Sequence, residues 1–167
     1  MSKTVRAVLV GALLLALSAG MAAAQISTED RIECNRGGPE RCGGSSGHDT
    51  ITGSSNADDI YARGGPDFVD ARGGRDLVLG GDGDDSPANR GGLDGGAGSD
   101  TVKGQDGNDT VTDDAKGDAD RLEGNTGNDF VDGRDGDRQD TINCGAGRDT
   151  YDKDRGDTVR NCENRRL

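Results

Sequence analysis

The chain has 167 residues, 20 of them basic and 32 acidic, for a formal net charge of −12; 29 % are hydrophobic, with two Phe, two Tyr and no Trp. A chain this polar cannot bury enough apolar surface to offset chain entropy, and by composition alone it reads as disordered. So acidic a surface also argues against nucleic acid as a partner.

The first element is an address. Lys3 and Arg6 precede an apolar run over residues 7–17, and Ala22, Ala23 and Ala24 stand before Gln25. Residues 1–24 have the layout of a secretory signal peptide, too short for the ~20 apolar residues that span a bilayer. No later segment is apolar enough to span, so the expectation is a secreted, extracellular protein without a membrane span. Removing the leader takes two basic residues and no acidic one, which leaves −14 on the mature chain.

Residues 25–43 carry Cys34 and Cys42 and are expected to form an N-terminal cap ahead of the repeats. With Cys144 and Cys162 there are four cysteines, and in a secreted chain these favour disulfides in one of three pairings. Zinc ligation is disfavoured, because no CxxC spacing and no second histidine accompany them.

From residue 44 an aspartate returns every nine residues: Asp49, Asp58, Asp67, Asp76, Asp85 and Asp94, with Ile51, Ile60, Val69 and Val78 two places after the first four. Two turns are written in full, GGDGDD over residues 80–85 and GGAGSD over residues 95–100. Glycines let the backbone take positive φ and fold tightly enough for carbonyl oxygens to converge. Carbonyls plus an Asp carboxylate make a hard, all-oxygen ligand set suited to Ca²⁺. The apolar residue that follows marks a short strand leading to the next turn.

This GGxGxDxUx nonapeptide resembles the calcium-binding repeat of RTX (repeat-in-toxin, hemolysin-type) proteins over residues 44–159. The resemblance implies an all-β fold, a parallel β-roll with 18- to 20-residue coils, two strands and two turns to each coil. It implies calcium as the bound ion, held along rows of stacked aspartates. Asp49 would lie beside Asp67 and Asp58 beside Asp76, with Asp85, Asp94, Asp100, Asp109, Asp120, Asp129, Asp140 and Asp149 continuing the rows. Bacterial RTX proteins usually leave by an exporter that reads an uncleaved C-terminal signal; the cleavable leader here looks more like Sec-exported actinobacterial repeat proteins. On such a roll Cys144 and Cys162, 18 residues apart, would be lateral neighbours roughly 4.8 Å apart, and Cys34 and Cys42 would close a loop at the other end. Residues 160–167 form the tail that brings the last cysteine to its partner, so each end of the solenoid has a staple.

The ladder has faults. The step from Asp94 to Asp100 is six, which predicts a kink or bulge within residues 86–99, with Pro87 and Gly96 standing where apolar residues belong. Beyond it the steps alternate nine and eleven. In the eleven-residue turns Asp118 and Arg138 replace the fourth-position glycine, and Asp113, Asp114, Asp118, Asp135 and Asp137 either bind calcium through side chains or pair with Arg121, Arg134 and Arg138. Arginines 63, 72 and 90 in the earlier turns predict fewer ions on the N-terminal half. Asp30 lies ahead of the first repeat.

No catalytic constellation is present. The single histidine, His48, occupies a turn beside Asp49 and reads as a solvated side chain; Ser45 and Ser46 read as turn residues, and there is no HExxH. The chain is therefore expected to be a non-enzymatic, secreted calcium-binding module whose folding is coupled to Ca²⁺, with an extracellular or cell-wall partner. The alternatives are a calcium-dependent ice-binding or adhesive surface, for which the residues after the motif aspartates are too mixed, and a secreted hydrolase with an unrecognised site.

Overall fold

The computed structural model describes residues 30–34, 40–85, 92–113, 115–116, 118–136 and 139–166. The predicted signal peptide lies outside them. Among the described residues the regular structure is all strand: β1 (Asp30–Glu33), β2 (Glu40–Gly43), β3 (Asp49–Thr52), β4 (Asp58–Gly64), β5 (Phe68–Asp70), β6 (Leu77–Asp82), β7 (Leu93–Asp94) and β8 (Thr101–Asp106). These are followed by β9 (Thr110–Thr112), β10 (Arg121–Thr126), β11 (Phe130–Gly133), β12 (Thr141–Ala146), β13 (Thr150–Lys153), β14 (Thr158–Arg160) and β15 (Asn164–Arg165). Odd-numbered strands form one parallel sheet in chain order and even-numbered strands a second. Each coil contributes one strand to each sheet, so the chain winds as the expected parallel β-roll. No helix among the described residues is long and apolar enough to cross a membrane.

The apolar positions explain why so polar a chain folds this way. In the odd sheet Ile32, Ile51, Val69, Leu93, Val111, Val131 and Tyr151 stand in register. In the even sheet Cys42, Ile60, Val78, Val102, Leu122, Ile142 and Val159 do the same. These two columns make up most of the hydrophobic core, with Ala62, Ala71, Cys34 and Cys144 beside them. One small aliphatic side chain per strand suffices, because the sheets lie close and the same residue repeats along the axis.

Coil length is not constant. Asp85 follows Asp67 by 18 residues, whereas Asp100 follows Asp76 and Asp109 follows Asp85 by 24, and the steps on to Asp120 and Asp129 are 20. Val69 pairs with Leu93, so the six extra residues fall between Asp85 and Leu93. The expected irregularity is thereby narrowed from residues 86–99. Pro87 lies outside the described residues, and the apolar column is filled not by Gly96 but by Leu93, which is fully buried.

The parallel ladders also begin earlier than the first recognisable nonapeptide. Asp30 pairs with Asp49 and Ile32 with Ile51, so residues of the anticipated cap stack on the first repeat coil. Both expected disulfides are present. Cys34 joins Cys42 at a Cα separation of 5.8 Å, and Cys144 joins Cys162 at 5.1 Å. The last coil steps by 17 residues, with Thr141 opposite Thr158, so Cys162 lies one place past the residue opposite Cys144 and still reaches it.

Candidate metal centre

Eleven aspartates of the sequence motif form two rows, one along each edge of the roll, and each is no more than 3 % exposed. The first row is Asp49, Asp67, Asp85, Asp109, Asp129 and Asp149; the second is Asp58, Asp76, Asp100, Asp120 and Asp140. Within a row each carboxylate after the first reaches back one coil. Oδ1 of Asp67 accepts the backbone N–H of Asp49 at 2.8 Å, Oδ1 of Asp85 that of Asp67 at 2.8 Å, and Oδ1 of Asp109 that of Asp85 at 2.9 Å. The second row repeats the bond from Asp58 to Asp76, Asp76 to Asp100 and Asp100 to Asp120.

The other oxygen has a different fate. Oδ2 of Asp67, Asp76, Asp85, Asp100, Asp109, Asp129 and Asp149 is buried without a hydrogen-bond partner. An unpaired charged oxygen in the interior is costly, and a repeated one calls for a ligand. At Asp85, Asp100, Asp109 and Asp129 the space it faces is the first-position glycine of its own turn, whereas Asp67, Asp76 and Asp149 have Ala62, Ala71 and Cys144 at that position. A Cβ at Gly104 would strike the Asp109 carboxylate and meet the Gly124 carbonyl of the next coil at 2.7 Å, and one at Gly80 would meet the Gly104 carbonyl at 2.6 Å. Carboxylate and carbonyl oxygens from two successive coils thus converge where a side chain is absent. This donor set fits a hard cation such as Ca²⁺.

Electrostatics give the same answer. Burial raises the carboxyls of Asp67 and Asp129 to about 7 and those of Asp85 and Asp100 to about 8. Asp76 and Asp109 rise to about 6 for the same cause. The N–H bond from the preceding coil opposes the shift, and nearby carboxylates add to it. Positive charge is what these rows lack.

Turn chemistry varies along the roll. In the first two turns serine supplies the missing donor: Ser45 N–H reaches Oδ2 of Asp49 at 2.6 Å, and Ser54 N–H and Oγ reach Oδ2 of Asp58 at 2.8 and 3.0 Å. Arg63 donates from Nη1 to the Gly44 carbonyl at 2.8 Å, occupying an oxygen of the first cage. His48, read as solvated, is half-buried, and its Nε2 is shielded and without a hydrogen-bond partner.

Asp94 stands in neither row. It pairs with Asp70 and Thr112, three places past the row position, and its Oδ1 accepts the Gly96 N–H at 3.2 Å. The six-residue insertion after Asp85 shifts the register, and the nine-residue step to Asp94 is a coincidence of counting.

In the eleven-residue turns the arginines pair elsewhere: Arg121 with Glu123, and Arg134 with Asp132 and Asp152 at 2.8 and 3.1 Å. Asp118 accepts the Gly98 N–H at 3.0 Å, and Asp114, Asp137 and Arg138 lie outside the described residues. Asp113 is 2 % exposed and lies among carboxylates. Burial raises it to about 9, with Asp120 adding to the effect.

Two row members escaped the reading of the repeats. Glu163 ends the first row by accepting the Asp149 N–H at 2.9 Å, and Asp157, 7 % exposed, ends the second by accepting that of Asp140. The pattern Asp157, Thr158, Val159 carried the signal for the latter, at a step of 17. Glu163 stands at the row position, since Asn164 after it pairs with Thr150, but it gives no such signal because a glutamate replaces the aspartate at a step of 14.

The family model of the RTX calcium-binding nonapeptide repeat matches in four copies, over residues 44–69, 52–87, 93–112 and 114–151. No curated protein and no solved structure matches the chain. The matched segments cover more than half of the chain and contain all eleven row aspartates from Asp49 to Asp149. A parallel roll with buried carboxylates facing carbonyls across glycine, built from these repeats, is a calcium-binding β-roll, and the chain belongs to the RTX calcium-binding repeat family.

Proposed function

We propose that this is a secreted protein whose folding is coupled to calcium and whose roll serves outside the cell as a structural or interaction module. The observation that supports it most is the repeated buried Oδ2 without a partner, in a chain of net charge −12. Bound Ca²⁺ would supply the positive charge that both facts call for, and its binding free energy would add to folding.

The chain's own residues do the rest. Asp67, Asp76, Asp85, Asp100, Asp109, Asp129 and Asp149 present the carboxylate oxygens, and Gly80, Gly95, Gly104 and Gly124 keep the space open at four of them. Their Oδ1 bonds tie each coil to the one before, so an ion held by one turn orders two coils. The two disulfides support the extracellular reading, since such bridges persist in oxidising compartments. The Ser45 and Ser54 donors and Arg63 make the first turns the poorest cation sites.

Far-ultraviolet circular dichroism of the oxidised chain, titrated with Ca²⁺ and separately with Mg²⁺ after chelator treatment, tests this reading. A transition from coil to strand with Ca²⁺ alone is expected. A strand spectrum already complete in chelator would remove calcium-coupled folding as the central function.

A further inference from the structure

From the geometry we infer that Asp113 turns the repeat position at Asp100 into a cation site of three side-chain carboxylates, Asp100, Asp113 and Asp120, binding one divalent ion of calcium's class. It rests on the calcium reading above but differs from the repeat sites in what holds the ion. One carboxylate oxygen from each residue lies within 4.8 Å of the others, and all three residues are buried.

Burial of three acids together does not by itself define a site. The second observation is the aim of the oxygens. Oδ1 of Asp113 accepts the Ala115 N–H at 3.1 Å and Oδ1 of Asp100 accepts the Asp76 N–H at 2.7 Å, whereas Oδ2 of both is buried without a hydrogen-bond partner. A Cβ at Gly95 would meet those two Oδ2 atoms at 2.7 and 3.1 Å, so both face one small volume.

Register explains how the site arises. Thr112 pairs with Asp94 on one side and Asp132 on the other, which places Asp113 level with Gly95 and Gly133. At the two flanking levels that position is glycine. At the middle level a carboxylate enters between the stacked Asp100 and Asp120. The nearby fourth-position glycine is replaced by Asp118, which accepts the Gly98 N–H, so the turn exchanges backbone ligands for charged ones. Affinity for Ca²⁺ rises with the number of charged ligands, so this site is expected to fill first.

The oxidised full chain is the material for the test. Native mass spectrometry counts Ca²⁺ bound to the wild type, Asp113→Asn and Asp113→Gly; the second variant restores the glycine found at the adjacent levels. Excitation spectra of Eu³⁺, a calcium substitute whose line position reports total ligand charge, are recorded on the wild type. Expected are one ion fewer in Asp113→Asn than in Asp113→Gly, whose turn regains the glycine of the adjacent levels, with the strand spectrum kept in both, and a europium line of high ligand charge that appears at the lowest ion ratio. Equal counts in the two variants, or no line of high ligand charge, would overturn the site while leaving calcium binding intact. A wild type that takes up no Ca²⁺ would overturn the broader reading too. If neither variant folds, the europium spectrum of the wild type decides alone.

Discussion

The carboxylate of Asp85 spans two coils: its Oδ1 accepts the backbone N–H of Asp67, 18 residues earlier, at 2.8 Å, while its Oδ2 has no partner in the interior. One oxygen serves the fold and the other is left for a ligand. The two roles separate by substitution.

Asp85→Asn keeps an oxygen able to accept the Asp67 N–H and removes the charge, so it should weaken calcium binding more than it weakens stacking. Asp85→Ala removes both and leaves a buried donor, at a cost of about 1–3 kcal/mol. Calcium titrations followed by circular dichroism should place the alanine variant's midpoint above that of the asparagine variant. Coincident midpoints would mean that Oδ1 contributes nothing to coil stacking.

The first-position glycine has a steric role that can be tested against a neighbour of the same type. Gly104→Ala drives a methyl into the Asp109 carboxylate and to within 2.7 Å of the Gly124 carbonyl, whereas Gly73→Ala meets its nearest atom, the Ala97 carbonyl, at 3.4 Å. The former should lose about 1–3 kcal/mol of stability in saturating calcium and the latter much less. Thermal unfolding of the two side by side is the measurement.

Gln105 is a non-glycine residue at φ 86°, in the second turn position where Gly81 has φ 111°. Left-handed backbone costs an L-residue roughly 1–2 kcal/mol, partly offset by the larger entropy of a glycine in the unfolded chain. Gln105→Gly should therefore raise the unfolding midpoint in calcium. A lower midpoint would show that the Gln105 side chain makes a compensating contact.

Without calcium, pH should act in an unusual direction. Burial lifts Asp67, Asp85, Asp100 and Asp129 from the ordinary 3.8 to between about 7 and about 8, so the folded roll holds more protons than the unfolded chain. The stabilisation from these groups is complete below the unfolded value and is lost as pH rises through 7 to 8. In chelator, strand content should be greater near about pH 5 than near about pH 8. Calcium affinity should run the other way, because binding needs the deprotonated carboxylates. A chelated chain that gains strand as pH rises would contradict the burial of these groups.

The regular part of the roll was legible because spacing alone determines stacking. Asp49 to Asp85, and Asp100 to Asp149 in alternating steps, appear in the rows where their periodicity put them. Asp94 was misplaced because the nine-residue count carries no information about inserted residues; Leu93, in line with Val69 and Val111, was the better marker of register. Asp30 was set outside the repeats although it pairs with Asp49, since a single Asp-x-Ile without its glycines gives no periodic signal. The meeting of Asp113 with Asp100 and Asp120 could not be read from spacing, because it depends on side-chain direction in a turn that departs from the repeat.

The insertion between Asp85 and Leu93 bears on how such a chain can change. The aspartate bond from Asp85 to Asp109 and the pairing of Val69 with Leu93 both survive six added residues. Register is thus enforced at two points in each coil, and the length of the connection is left unconstrained. A gene encoding this roll can gain or lose codons at that connection without disturbing the coils on either side.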